Sequence, residues 1–562
     1  MVIENFSLQK LDRQIILKKY ECQWRDDHDV HPLIKDVLLN RNVSDLKGID
    51  HTLGKLLHFS SLKGMDEAVH VLVKNLNKKS KVLVIGDYDV DGATASVIAI
   101  KGLKILRPDI DIEFLVPNRF EFGYGLTIPL VNEAKKINPN LIITVDNGIV
   151  AHEACQLVKS LGIDLLITDH HLSGKTLPYC DAVVNPNQPD DHFLSKNLCG
   201  AGVMFYVLLA LRSYLRNELS DPVYGKEISG LLDLVALGTV ADCVPLDLNN
   251  RILVHYGLNL IRQGKCNKGV HALLNYEVKH VYSEDLGFKV APKLNAAGRM
   301  DDMSIGIKCL LAENDYLAQQ YASELISFNE TRKAVEKTMK NEAINIIESI
   351  DIEIGAGSTL ALYHPSWHEG VIGLIAARIK EAYQRPTIIF APSKEGLIKG
   401  SARSLPGIHI REVLSKVDEM SPGLIKGYGG HAMAAGLSIL ESDLNVFRDL
   451  YDKVMSSEYS VENYQENWMV DAWIDAYDCH VVLADQIVNL APYGQGFEVP
   501  LFASKMNLVN VKTLSGPHLK LIWDGPEGFI ESVWFNASMK DIDFYVKRNY
   551  IVVFSFSFNV FR

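Results

Sequence analysis

Between residues 81 and 184 short apolar runs rich in β-branched residues recur, and three of them end in acids or histidines. Lys81–Ile85 leads into Gly86-Asp87-Tyr88-Asp89-Val90-Asp91-Gly92, Leu141–Val145 into Asp146-Asn147-Gly148, and Leu165–Thr168 into Asp169-His170-His171. Ile112–Val116 and Ala182–Val184 are further runs, with helix-like stretches between them. Short apolar strands alternating with amphipathic helices imply an α/β fold with a parallel, doubly wound sheet. Such sheets bind ligands outside the carboxyl ends of their strands. The acids should therefore gather at one rim, where a later helix ending in Gly238-Thr239-Val240-Ala241-Asp242 adds a further carboxylate.

Carboxylates crowded in this way repel one another and resist ionisation unless cations neutralise them. Carboxylates alone suit Mg²⁺ or Ca²⁺, and imidazole shifts the preference toward Mn²⁺ or another transition ion. So many candidate ligands exceed what one ion with open positions needs, which points to two ions. A pair of ions can clamp the attacking and leaving oxygens of a phosphate. Any single Asp after a strand is more commonly a turn residue or helix N-cap, as Asp146-Asn147-Gly148 illustrates. Recurrence in four segments of one domain is what favours the metal site.

The remaining chain divides by pattern. Residues 1–75 read as a polar helical segment, 76–250 as the doubly wound domain and 251–355 as a helical connector. Within the connector, Glu313 to Ile350 contains neither Gly nor Pro. There Leu317, Tyr321, Leu325 and Phe328, then Val335, Met339, Ala343 and Ile346, recur at helical spacing. Residues 356–458 repeat an α/β pattern on a smaller scale and end in a glycine-rich stretch. Residues 459–562 read as a β-domain, in whose last run Val552, Phe554, Phe556 and Phe558 alternate with Val553, Ser555 and Ser557.

Composition narrows the class of protein. The 562 residues are 48% hydrophobic, enough for several cores, and no apolar run is long enough to span a membrane. The start, Met1-Val2-Ile3-Glu4-Asn5, has no basic stretch before an apolar one, so no secretory signal is expected. Eight scattered cysteines without a CxxC pair argue against a zinc ribbon or disulfide scaffold and fit the reducing cytoplasm. The net charge of −12 argues against an indiscriminate nucleic-acid coat. Between Ala376 and Glu412, however, seven basic residues face three acidic ones.

These motifs also carry a resemblance. The Asp87–Gly92, Asp146–Gly148, Asp169–His171 and Gly238–Asp242 segments resemble the successive motifs of the DHH phosphoesterase superfamily. Pro117-Asn118-Arg119 with Gly123-Tyr124-Gly125, and Leu294–Asp301 with its Asn-Ala-Ala-Gly-Arg core, resemble the RecJ single-strand-specific DNA exonucleases within it. So do Trp367–Gly373, Gly400–Ser404 and Gly429–Gly436. The resemblance implies a DHH domain, a long helical connector, a smaller α/β DHH-associated domain and a C-terminal OB-like β-barrel. It implies 5′-to-3′ hydrolysis of single-stranded DNA to 5′ mononucleotides with two Mn²⁺ or Mg²⁺ ions, in DNA repair and recombination.

Carried over by residue, the metal ligands fall on Asp89, Asp91, Asp146, His170 and Asp242. Asp87, Asp169 and His171 become catalytic, with His171 at the scissile phosphate. Arg119, Arg299, Ser401 and Arg403 become holders of the 5′ phosphate, and His431 a substrate-facing group. A monomer with a single-strand-binding protein and a helicase as partners, and no membrane, is the implied setting. A DHH phosphodiesterase or phosphatase acting on short oligonucleotides or cyclic dinucleotides is the alternative. Two departures stand out. Val499-Pro500-Leu501-Phe502 follows Gly494-Gln495-Gly496 where the family usually has a Gly-Asn-Pro-Glu pattern. The chain also stops at Asn559-Val560-Phe561-Arg562, right after the Phe-rich strand, so that strand is expected to present an unpaired apolar edge.

Overall fold

The computed structural model describes residues 2–4, 14–26, 30–118, 122–218, 226–300, 302–349, 359–459, 467–515, 518–525, 528–535, 537 and 548–557. The chain forms two compact units, Met1–Ile326 with Trp468–Arg562, and Ser327–Asn467.

In the first unit, strands β1 (Val2–Glu4) and β2 (Ile15–Leu17) precede helices α1 (Pro32–Leu39) and α2 (Met65–Asn77). The expected helical start therefore holds at α1 and α2 but not at the two strands. Their partners lie in the C-terminal β-domain, too far along the chain to show in local periodicity.

The doubly wound sheet follows, built from β3 (Lys81–Ile85), α3 (Val90–Leu106), β4 (Asp111–Leu115), α4 (Ile128–Ile137), β5 (Leu141–Val145), α5 (His152–Ser160), β6 (Asp164–Thr168), β7 (Ala182–Val184) and α6 (Gly200–Glu218). Its strands run β4-β3-β5-β6-β7, all parallel. The chain steps from β3 out to β4 and then returns to the other side of β3, so the order reverses between β3 and β5. That reversal opens the crevice where such sheets bind ligands. On one face Ile85, Ile142 and Ile167 pack with Leu130 and Val131 of α4 and Val158 of α5. Helices α3 and α6 lie so close that a Cβ on Gly102 would come within 2.2 Å of Leu208 Cδ1.

Helices α7 (Leu232–Ala241), α8 (Leu248–Arg262), α9 (Lys268–Leu273), α10 (Ser283–Asp285), α11 (Ala291–Met300) and α12 (Ser304–Leu311) lead into α13 (Asp315–Ser349). This 35-residue helix is the expected connector, and the division between the two units falls within it. Its buried stripe runs Ala318, Ala322, Leu325, Met339, Ala343 and Ile347, whereas Leu317 is 37% exposed. The first half is thus turned one residue from the expected face, because alanine offers small surfaces that hydrophobic periodicity weighs lightly.

The second unit holds β8 (Leu360–Tyr363), α14 (Ile372–Tyr383), β9 (Thr387–Pro392), β10 (Leu397–Arg403), α15 (Ile410–Met420), β11 (Ile425–Gly430), β12 (Ala434–Leu440) and α16 (Leu444–Glu458). Its sheet order is β11-β12-β10-β9-β8, with only β8 and β9 parallel. Phe390, Phe447 and Tyr451 anchor its core.

The C-terminal part of the first unit contains β13 (Trp468–Val470), β14 (Ala472–Trp473), α17 (Val481–Val488), β15 (Phe502–Thr513), β16 (His518–Gly525), β17 (Gly528–Phe535) and β18 (Asn549–Ser557). Strand β15 pairs with β18 through Phe502–Asn507 and with β16 through Leu508–Thr513. Val552, Phe554 and Phe556 are buried as the alternation predicts. The end of β18 expected to lack a partner has one. Strand β1 lies antiparallel to Ser555–Ser557 of β18 and parallel to Glu531–Val533 of β17, while β15 pairs with Asn549–Phe554. Phe558 and Asn559–Arg562 lie outside the described residues.

Candidate metal centre

Three strand ends and two helix ends of the first unit build the site. After β3, Asp89 caps α3 by accepting the Gly92 N–H at 3.0 Å. Asp91, in the first turn, accepts the Gly200 N–H at 2.5 Å and the Ala201 N–H at 2.9 Å, so the N-terminus of α6 holds both of its oxygens. After β5, Asp146 takes a left-handed backbone with φ of 63°. A Cβ on Gly200 would approach Asp146 Cβ to 2.5 Å, so glycine lets the start of α6 close against it. Asp242 is the C-cap of α7.

After β6, Asp169 serves the turn it begins. Its carboxylate accepts N–H groups from Ile149, His170 and His171 at 2.9, 2.7 and 3.1 Å, and His171 Nδ1 lies 2.8 Å away. Asn187 and Asn185 donate to the carbonyls of His170 and His171 at 2.6 and 2.9 Å. Asp169, expected from sequence to be catalytic, is surrounded by these four donors and lies against His171.

His170 Nε2 stands 3.1 Å from Asp146 Oδ1, 3.5 Å from Asp242 Oδ2 and 3.8 Å from Asp91 Oδ2. The ligand atoms of Asp91, His170 and Asp242 lie within 4.8 Å of one another, as do those of Asp87, Asp89 and Asp146, and those of Asp146, His170 and His171. Asp87, expected from sequence to be catalytic, lies within this cluster of candidate ligands.

The electrostatics follow from burial. Burial and then the charge of Asp91 raise the Asp89 carboxyl, and burial followed by Asp91, Asp89 and Asp242 raises Asp146 well above the ordinary range. Burial, Asp91 and Asp89 push Asp242 up to about 8. Burial lowers His170, which suits a neutral imidazole ligand. Burial also opposes charge on His171, but the hydrogen bond and charge of Asp169 overcome it and carry the imidazole to about 9. Asp146 Oδ1 and His170 Nε2 are both buried and neither makes a hydrogen bond. Buried polar atoms normally have partners, so a divalent cation between these carboxylates and the imidazole fits the donor set.

The other expected residues fall in two places. A Cβ on Gly298 would meet the Tyr88 carbonyl oxygen at 2.2 Å, so α11 presses on the Asp87–Asp91 loop and carries Arg299 beside it. In the second unit, Arg403 Nη1 donates to Ser401 Oγ at 3.1 Å, and burial lowers the Arg403 guanidinium. Gly373, in the first turn of α14, leaves room for both, since a Cβ there would lie 3.0 Å from Arg403 Nη2 and 3.1 Å from Ser401 Oγ. His431 is exposed in the hairpin joining β11 to β12. Arg119 lies outside the described residues.

Sequence reasoning gave no role to Tyr124. Its hydroxyl lies 3.1 Å from His171 Nε2 and donates to the Asp146 carbonyl at 3.4 Å. The flanking glycines, both at positive φ, were the available signal.

Comparison with known proteins places the chain in a family. Family models match the DHH family N-terminal domain at residues 81–239, the DHHA1 domain at 356–457 and the RecJ OB domain at 470–562. The single-stranded-DNA-specific exonuclease RecJ of Salmonella typhimurium is 41% identical over 522 residues, covering 90% of this chain and 89% of that protein. The Escherichia coli protein of the same description is 38% identical over 94% of this chain and 93% of its own length. A crystal structure of RecJ from Thermus thermophilus in complex with Mn²⁺ superposes with a TM-score of 0.78 at 28% identity, covering 96% of this chain and 76% of that one. With these motifs at the strand ends and likeness along nearly its whole length, the chain belongs to the RecJ family of single-stranded-DNA-specific exonucleases.

Proposed function

We propose that this chain is a metal-dependent exonuclease that binds single-stranded DNA and removes 5′ mononucleotides in the 5′-to-3′ direction. The observation that carries the hydrolytic reading is the Asp146 Oδ1–His170 Nε2 pair, two buried ligand atoms 3.1 Å apart without a hydrogen bond. Asp87, Asp89 and Asp146 would hold one divalent ion, and Asp91, His170 and Asp242 a second. Mn²⁺ or Mg²⁺ so held supplies charge neutralisation for a phosphodiester and a lowered pKa for a water.

The protein groups do the rest. Asp169 fixes His171 through Nδ1, and the Tyr124 hydroxyl lies beside Nε2. That arrangement sets the imidazole to donate a proton to a phosphate oxygen. Helix α6 holds Asp91 through two backbone amides, so its carboxylate needs no rearrangement as charge develops. The direction of attack rests on the family likeness and on Ser401 and Arg403 beside the N-terminus of α14. A guanidinium, a hydroxyl and a helix N-terminus together suit a terminal phosphate. The scattered free cysteines support a cytoplasmic setting, and a single-strand-binding protein and a helicase are the partners this reading proposes for a monomer. Among the described residues no helix is long and apolar enough to cross a membrane.

Chromatography of a Mn²⁺ digest of single-stranded DNA tests the reaction. Nucleoside 5′-monophosphates accumulating from the start are expected. Nucleoside 3′-phosphates, or cleavage confined to dinucleotides, would refute it.

A further inference from the structure

Phe497 follows Gly494-Gln495-Gly496 in a turn between α17 and β15 that touches the segment following Asp242. Leu246 N–H donates to the Gln495 carbonyl at 2.7 Å. A Cβ on Gly494 would lie 2.7 Å from Leu246 Cδ1, and one on Gly496, at φ of 71°, 3.3 Å from Pro245 Cβ. Phe497 is 2% exposed. The Arg251 guanidinium of α8 covers its ring at 3.9 Å, and that of Arg41 stands 5.7 Å away. Both cations tie the turn to its surroundings. Arg251 donates to the Gly48 carbonyl, and Arg41 donates to the Glu498 carbonyl while pairing with Asp471 at 2.7 Å. Tyr493 stacks on Phe497 at 5.7 Å, and its carbonyl accepts the Ser283 hydroxyl at 2.6 Å.

Asn250 of α8 also donates to the Pro245 carbonyl at 2.9 Å. The loop Cys243–Asp247 is therefore held by both α8 and the Phe497 turn, with Asp242 at its head. Of the three carboxylates near His170 Nε2, Asp91 and Asp242 differ in what steadies them. Asp91 is held by two amides. Among the described residues no hydrogen bond fixes the Asp242 side chain, which stands 3.5 Å from His170 Nε2. Its position depends on its backbone, and that backbone turns sharply at Cys243, where φ is 57°.

We propose that the Phe497 turn of the C-terminal β-domain is a positioning element for Asp242, and through it for the ion that Asp91, His170 and Asp242 would hold. The β-domain then contributes to metal loading as well as to DNA binding. This rests on the two-ion reading above, and outer-shell changes of this kind typically weaken metal binding by roughly 10–100-fold.

The test is Mn²⁺ binding to the full chain without DNA, read from the electron paramagnetic resonance of free Mn²⁺. The wild type should take two ions. Phe497→Ala should weaken one of them at least about tenfold and leave the other within about twofold. Asp242→Asn should weaken the same ion, and the double variant should be no worse than Asp242→Asn alone. Phe497→Tyr, which keeps the ring under Arg251, should restore both. An isotherm for Phe497→Ala that overlays the wild type, or losses that add in the double variant, would overturn the proposal. Should Phe497→Ala melt below the assay temperature, Phe497→Leu, which keeps volume without an aromatic face, is read by the same criteria. Fewer than two ions on the wild type would instead overturn the two-ion reading, and the proposal with it.

Discussion

At the scale of single residues, the ion-free cluster stores electrostatic cost that pH should reveal. Asp89, Asp146 and Asp242 hold protons more tightly in the folded chain than in the unfolded one. The unfolded state therefore binds fewer protons between the ordinary carboxylate value of 3.8 and the Asp242 value of about 8, and stability falls as pH rises through that window. His171 acts with the same sign between 6.5 and about 9, because its stabilising contact with Asp169 is complete below 6.5 and lost as pH passes the folded value. Chelator-treated protein should melt at a lower temperature at pH 8 than at pH 6, and Mn²⁺ should remove most of the difference. A melting temperature independent of pH in that range would contradict the reading.

Tyr124→Phe deletes a neutral hydrogen-bonding group worth about 0.5–1.5 kcal/mol, so kcat should fall up to roughly tenfold. Mn²⁺ affinity and KM should stay unchanged, which steady-state kinetics with a parallel metal titration would check. The acids themselves were legible in sequence because each follows a strand or ends a helix. The surroundings of Asp169 were not, since its four donors meet it only in three dimensions. Nor could sequence show that the amides fixing Asp91 belong to Gly200 and Ala201, more than a hundred positions away.

Among elements, the meeting of α14 with β10 makes the sharpest prediction. Arg403→Ala should weaken binding of 5′-phosphorylated strands more than strands with a 5′ hydroxyl. Charge-assisted contacts of about 1.5–3 kcal/mol correspond to roughly a ten- to hundredfold effect. Gly373→Ala should lower the same preference in a folded protein, because the added methyl lies 3.0 Å from Arg403 Nη2 and 3.1 Å from Ser401 Oγ. Equal losses for both DNA ends, measured by fluorescence anisotropy, would assign Arg403 elsewhere. The strands of the parallel sheet were legible because buried parallel strands read as continuous apolar runs. The face of α13 was less so, because Ala318 and Ala322 carry its buried stripe while the larger Leu317 is partly exposed.

Across the whole molecule, the features least visible in sequence are those that join distant parts of the chain. Strand β1 closes against β17 and β18, pairing Ile3 with both Ser532 and Phe556. Deleting residues 1–4 should therefore speed amide exchange at Ser555–Ser557 by about tenfold or more, while β5 stays protected. Unchanged exchange in β18 would contradict the pairing. No local pattern announces such a partner, which is why the Phe-rich strand read as an open edge. The Phe497 turn is another case, since its significance lies in Arg251, Pro245 and Leu246.

The central claim is metal-dependent hydrolysis of single-stranded DNA from its 5′ end. Single strands labelled at either end, digested with and without Mn²⁺ and resolved on a gel, test it most directly. Asp146→Asn serves as the inactive control, since asparagine tolerates the left-handed backbone at φ of 63° better than alanine. The 5′ label should leave at once as a mononucleotide, while 3′-labelled strands shorten stepwise. Duplex should resist, and chelator or Asp146→Asn should abolish both patterns. Release of the 3′ label first, or digestion that survives the chelator or Asp146→Asn, would contradict the account.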